Sequence, residues 1–335
     1  MHSYFDISMI NIKEVYGKNY TFVDVRSPKE FEEDTIPGAV NIPLLLDDER
    51  AIVGTIYTKE SKDKAMQVGM EFISKRLPEM FQEYNQLKQP IIIFCWRGGM
   101  RSGSITGLLK ACGIDVQQLE GGYKTYRAFV REQLKVVEIP KSIVVYGHTG
   151  AGKTEVICQL DNGLDLEGLA EHRGSILGDI GLKPVGQKKF ESKLLKRLNE
   201  LKDEKFIVIE CESRKIGKVE IPQKVFEKIK KPWKGIFLEK SVEERAKISR
   251  ETYFPEANEK NINEIIAKLE CIKKYLGGKN LDKVKKLLRE NKITEAIKLL
   301  LVDYYDLHYV NSFGTFDYTV KTNEEFFDVV KKLVK

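Results

Sequence analysis

The stretch that most constrains the fold runs from Ser142 to Thr154. Ser142-Ile143-Val144-Val145-Tyr146 is a short β-branched run, and Gly147-His148-Thr149-Gly150-Ala151-Gly152-Lys153-Thr154 follows at once, a full match to G-x-x-x-x-G-K-[ST]. Strand, glycine-rich loop and helix in that order belong to an α/β sheet. The glycines let backbone amides wrap a polyphosphate, Lys153 supplies a point charge, and Thr154 can reach a magnesium ion. Glu155 to Leu160 reads as a helix, whose positive N-terminus would face the phosphates. The motif does not say which polyphosphate it holds.

A second strand-to-loop junction lies at Ile91 to Ser104, IIIFCWRGGMRSGS. Three isoleucines and a phenylalanine read as a buried strand, and Cys95 stands where it ends. Free backbone amides there, with Arg97 and Arg101 nearby, favour an anion. The same field favours thiolate over thiol, so Cys95 is a candidate nucleophile. The competing reading is a structural cysteine. An apolar pocket, however, has no use for two arginines and two glycines within seven residues.

Composition is consistent with two ordinary domains. The chain has 335 residues, 42% of them apolar, and no run approaches the length of a membrane span. No secretory leader is visible at the N-terminus. Five cysteines are spread without zinc or C-x-x-C spacing, which points to a reducing cytoplasm. Cys112, Cys158 and Cys271 read as packing residues. The first 135 residues hold 18 basic and 18 acidic side chains, so the whole formal excess of +6 lies beyond them. It gathers around Lys183–Arg197, Lys224–Lys234 and Lys273–Lys286. Each cluster alone reads as a solvated helix face. Together they make a polyanion a plausible partner.

The expected organisation is an α/β domain over 1–135 and a P-loop α/β domain over 136–335 with a helical region at about 241–309. Strands are expected at Thr21–Val25, Ile91–Phe94 and Asp115–Leu119, then at Ser142–Tyr146, Lys205–Ile209, Gly235–Leu238 and Phe316–Val320. Ile56–Arg76 reads as a helical or loop insertion. Two polar segments in the second half are unlike core elements. One is Gly168 to Ser175, containing His172, Arg173 and Ser175. The other is Ile209 to Gly217, containing Glu210, Glu212, Ser213 and Arg214. The second follows an apolar strand, where an α/β sheet presents ligand-binding residues, and Glu210 or Glu212 could hold magnesium through water.

The loop Cys95-Trp96-Arg97-Gly98-Gly99-Met100-Arg101-Ser102 resembles the active-site loop of rhodanese domains, whose cysteine carries sulfur. Phe22–Arg26 with Glu30 and Phe31, Ile36–Pro43, and Leu119–Tyr123 resemble other rhodanese segments. Five residues separate Cys95 from Arg101, against four in common sulfurtransferases, so the wider loop suits a tetrahedral oxyanion. Nearly the whole chain resembles the bacterial tRNA 2-selenouridine synthase family, which fuses a rhodanese domain to a P-loop domain. Cys95–Ser102 is similar to its C-W-R-G-G-x-R-S, His172–Ser175 to its H-R-G-S, and Glu212–Gly217 to its E-S-R-x-I-G. Leu307 departs from the family's Y-Y-D-P at Tyr304-Tyr305-Asp306-Leu307, and Cys211 stands where an acidic residue is expected.

The resemblance implies a two-step change at a tRNA wobble uridine. Geranyl diphosphate alkylates the 2-thio sulfur, then selenium from selenophosphate displaces the S-geranyl group. The P-loop residues Gly147–Thr154 would hold the diphosphate with a magnesium ion at Thr154. The Cys95 loop would hold selenophosphate through Arg97 and Arg101, with Cys95 relaying selenium. The tRNA anticodon stem-loop is then the polyanion partner, with Trp96, Trp233 or Tyr253 to stack on the base and Arg173 and Arg214 for phosphates. Selenophosphate synthetase is a further expected partner, and no membrane is. Two rivals remain: a rhodanese-type sulfurtransferase with a nucleotide-regulated RNA-binding P-loop domain, and an RNA-binding ATPase whose rhodanese half is an interaction module.

Overall fold

The computed structural model describes residues 8–254, 259–309 and 314–334. The chain divides into two compact units, Met1–Val136 with Glu191–Lys196, and Val137–Phe190 with Arg197–Lys335. Both are α/β.

The first unit is built on five parallel strands: β1 (Met9–Ile10), β2 (Thr21–Asp24), β3 (Val40–Asn41), β4 (Ile91–Phe94) and β5 (Val116–Leu119), in the order β1-β5-β4-β2-β3. The central strand β4 is covered on both faces, and all four of its side chains are fully buried. That is why it reads as an unbroken apolar run rather than an alternation. Burying each such side chain contributes about 1.5–3 kcal/mol. The expected insertion is two helices, Asp47–Lys59 and Lys62–Gln86, with Ser61 capping the second through Lys64 N–H. The two-residue strands β1 and β3 are too short for a periodic signal.

The second unit holds β6 (Lys141–Tyr146), β7 (Gly163–Leu164), β8 (Phe206–Glu210), a hairpin of β9 (Lys215–Ile216) and β10 (Val219–Glu220), then β11 (Lys234–Leu238) and β12 (Tyr318–Val320). The main sheet is parallel in the order β12-β11-β6-β8-β7. The segments after β6 and after β8 therefore emerge side by side at the carboxyl edge of the sheet, the usual ligand edge of such folds. The helices Val242–Tyr253, Glu259–Leu269, Gly278–Arg289 and Ile293–Leu300 form their own core around Leu269, Leu281, Val284, Leu288, Ala296 and Leu300. Leu281, Val284 and Leu288 recur at helical spacing along the chain, as do Ala296 and Leu300. Among the described residues, no helix is long and apolar enough to cross a membrane.

Three cysteines depart from expectation. Cys112, Cys158 and Cys271 are exposed, not packed in the core. Cys112 is the C-cap of one helix and Cys158 the last residue of another, where the chain turns outward.

Candidate functional site

Two glycine-rich loops follow buried strands, one in each unit. In the first, β4 delivers Cys95 into the loop with only 3% of its surface exposed. The loop is tied down from behind. Tyr123 N–H donates to the Cys95 carbonyl at 2.8 Å, and Lys124 N–H to the Trp96 carbonyl at 3.0 Å. Gly122 sits so close to the Cys95 carbonyl, at φ +59°, that no side chain fits there. The Cys95 Sγ lies 3.2 Å from Ser102 Oγ. Burial pushes the thiol up. The Ser102 hydroxyl and N–H, the Arg101 charge and the Arg97 N–H outweigh it, and the thiol lies below its ordinary value. Cys95 is thus buried, and its thiol nevertheless lies below its ordinary value.

The two arginines of this loop differ. Arg101 Nη1 pairs with Glu30 Oε2 at 3.0 Å. Although burial opposes it, the Arg101 charge holds the Glu30 carboxyl below its usual range. Arg97 is exposed, as are Trp96 and Met100, so these three form the outer rim. The Trp96 ring lies 5.3 Å from that of buried Tyr123, and Arg26 stacks on Tyr123 at 4.0 Å while chelating Asp24. Sequence reasoning missed Gln118. Its buried amide donates to the Gly98 carbonyl at 2.7 Å and to Ser102 Oγ at 2.8 Å. The signal was a glutamine pair inside an otherwise apolar strand.

In the second unit a cavity of about 660 Å³ opens at the P-loop. All of Gly147–Thr154 lines it, together with Arg173, Ser175, Glu212 and Ser213. His172, Glu210 and Arg214 do not line it. The His172 ring seats against Gly178 and Gly217. Arg214 holds Gln223 and Glu220 and lies over Phe226. Glu210 is fully buried, and its Oε1 accepts the N–H groups of Leu166 and Glu167 at 2.7 and 3.0 Å. It therefore caps the short helix Leu166–Ala170 and aims Glu167 at the loop.

Glu167 is the acid that sequence reasoning missed. Its Oε2 accepts from Thr154 Oγ1 at 2.9 Å. Burial and the neighbouring carboxylates raise the acids here: Glu167 and Glu210 lie above the usual range, and Glu212 is pushed up to about 8. Glu212 lies beside Glu167, and the Glu167 charge helps to raise it. Lys153 Nζ meanwhile donates to the Gly147 carbonyl at 3.0 Å.

The helical region reaches this loop through buried Arg245. Its Nε donates to the Thr149 carbonyl at 2.9 Å, and its two Nη atoms grip Asp306 at 3.0 and 2.6 Å. Asp306 also stands 3.2 Å from His148 Nδ1. Gly150, at φ +80°, lets the Val242–Tyr253 helix approach. A Cβ there would sit 2.9 Å from the Arg245 carbonyl. Asp306 belongs to the Tyr304-Tyr305-Asp306 segment, and Leu307, the departure after it, is exposed. Arg173 lies over the Tyr253 ring, and the Tyr253 hydroxyl meets Ser175 Oγ at 3.0 Å. Trp233 packs beside Phe206 with Lys141 over its ring.

Known proteins share both units. Residues 140–334 match a family described as the tRNA 2-selenouridine synthase AAA domain, and residues 12–129 match the rhodanese-like domain. A tRNA 2-selenouridine synthase of Hydrogenovibrio crunogenus is 32% identical over 328 residues, 89% of this chain and 91% of that protein. One from Marinobacter nauticus is 32% identical over 318 residues, 86% of each chain. One from Nitrosomonas europaea is 36% identical over 233 residues, 66% of this chain and 60% of that protein.

Proposed function

This chain belongs to the tRNA 2-selenouridine synthase family, and on that premise we propose that it converts wobble 2-thiouridine of tRNA to 2-selenouridine in two steps. The observation that carries this reading is the pairing, in one chain, of two chemically different anion cradles. One places a sulfur nucleophile under amide donors. The other offers a lysine, a threonine and carboxylates, and the one thiol in its lining, Cys211, is raised by burial.

In the first step the thiocarbonyl sulfur attacks the allylic carbon of geranyl diphosphate, the C–O bond breaks, and diphosphate leaves. Lys153 and the amides of Gly147–Thr154 would take up that leaving charge. Thr154, Glu167 and Glu212 line one cavity and would offer a hard cation such as magnesium an all-oxygen set, with Thr154 Oγ1 and Glu167 Oε2 already in contact. Such an ion would supply further charge neutralisation for the diphosphate. In the second step selenium from selenophosphate replaces the geranyl thiolate, a better leaving group than the original thiocarbonyl sulfur. Arg97 and the amides of the Cys95 loop would hold the donor. The Cys95 thiolate would attack its phosphorus and break the P–Se bond. The selenide released would attack C2 of the base and expel the geranyl thiolate, and water would then cleave the S–P bond to give phosphate and free Cys95. A cytoplasmic setting and supply by a selenophosphate synthetase belong to the same proposal, as does binding of the anticodon stem-loop by the basic second unit.

The test is nucleoside mass analysis of 2-thiouridine-containing tRNA incubated with the protein, first with geranyl diphosphate and then with selenophosphate. A geranyl adduct followed by replacement of sulfur with selenium is the expected result. An unchanged nucleoside mass with folded protein and competent tRNA would reject the proposal.

A further inference from the structure

We propose that Gln118 is a positioning residue that aims the Ser102 hydroxyl at the Cys95 sulfur, an inference that rests on Cys95 being the reacting sulfur. The three side chains are nested: Gln118 is 2% exposed, Ser102 fully buried and Cys95 3% exposed. Gln118 Nε2 lies 2.7 Å from the Gly98 carbonyl oxygen, 3.2 Å from that of Gly99 and 2.8 Å from Ser102 Oγ. Two of those neighbours are carbonyls, which only accept, so the amide must present its NH2 side here. One of its two hydrogens holds the Gly98 carbonyl. The other goes to Ser102 Oγ, which is thereby made an acceptor.

A hydroxyl has one proton to give. With its oxygen already accepting from Gln118, Ser102 can donate to the Gly99 carbonyl at 3.3 Å or to Cys95 Sγ at 3.2 Å. A charged acceptor draws a hydrogen bond about twice as strong as a neutral one, so the sulfur takes the proton whenever it is a thiolate. Gln118 therefore does two things with one amide. It fixes the loop at Gly98, and it polarises the hydroxyl that faces the sulfur. Ser102 and Arg97 N–H groups complete the ring of donors. The lowered thiol is the expected consequence.

The experiment uses the full chain. Alkylation of Cys95 by iodoacetamide is followed against pH, with the labelled peptide quantified by mass spectrometry so that the other cysteines do not contribute. Gln118→Met keeps the side-chain length and removes the donor, and Ser102→Ala removes the hydroxyl. Each is expected to raise the alkylation midpoint by about one pH unit, lowering the rate at neutral pH about tenfold. The double variant should shift no further than Ser102→Ala alone. A folded Gln118→Met protein with an unshifted midpoint overturns the proposal. So do shifts that add in the double variant, because they would mean that Gln118 acts on the sulfur without Ser102. Should Gln118→Met fail to fold, Gln118→Glu keeps the shape but turns the group into an acceptor, and the same two criteria apply. The midpoint is read without tRNA or selenium. Selenation that survives Cys95→Ser would thus reject the proposed function while leaving this measurement to decide the hydrogen-bond relay.

Discussion

The two cradles use similar backbone devices and opposite electrostatics. Around Cys95 the donors converge and the acids go down: both the thiol and Glu30 lie below their ordinary values. Around the P-loop the acids go up: Glu167, Glu210 and Glu212 are all raised by burial first, then Glu167 by Asp165, Glu210 by Asp165, Glu167 and Glu212, and Glu212 by Glu167. The first site is thus prepared to carry a negative charge of its own. The second gathers carboxyl groups that give up their protons less readily, beside Lys153. On the proposed function, a sulfur nucleophile and a diphosphate leaving group would call for these two opposite preparations.

The sharpest way to break the comparison is to remove one partner at a time. Cys95→Ser should reduce selenation of geranylated tRNA to less than about one-thousandth while geranylation continues. Loss of both activities in a folded protein would mean that the two cradles are not chemically separate. Lys153→Ala is the reciprocal change. It should slow geranylation by about 10²–10³ and leave selenation of tRNA that already carries the geranyl group close to its normal rate. Both rates are read from the same nucleoside masses.

A smaller effect tests the raised acids. Glu212 sits at about 8 in the folded protein, above the ordinary carboxylate value of 4.5. The folded state therefore keeps its proton where the unfolded state has lost it. Stability from this group is complete below the unfolded value and is lost as pH rises from about 4.5 through about 8. The slope it adds is at most about 1.4 kcal/mol per pH unit. Glu212→Gln carries no titrating proton, so its denaturation midpoint should fall less steeply over that window. Parallel curves for the two proteins would show that the Glu212 proton does not contribute.

What could be read from the sequence follows from local signal strength. β4, β6, β8 and β11 were legible because central parallel strands are continuous apolar runs, and both loops because each glycine-rich motif abuts such a run. The helical region was legible from the spacing of Leu281, Val284 and Leu288. Gln118, Glu167 and Arg245 were not, because each works on a loop distant in sequence. Gln118 acts on Ser102 across 16 positions and Arg245 on Thr149 across 96. Spacing along the chain carries no information about such pairs. Glu210 was noticed for its place at the end of β8, but only the fold shows that its oxygen is occupied by two backbone donors.

The smallest effect separates the two arginines of the first loop. Arg97 reaches the sulfur through its backbone N–H, whereas Arg101 acts through its charge while held by Glu30. Arg97→Ala keeps the N–H, so the alkylation midpoint of Cys95 should stay in place. Arg101→Ala removes a charge and should raise that midpoint by a few tenths of a pH unit. The exposed guanidinium of Arg97 is instead placed to hold the selenophosphate donor of the proposed second step. Its loss should raise the KM for selenophosphate several-fold in the selenation assay. If Arg97→Ala moved the midpoint and left that KM unchanged, the assignment of inner and outer roles would have to be reversed.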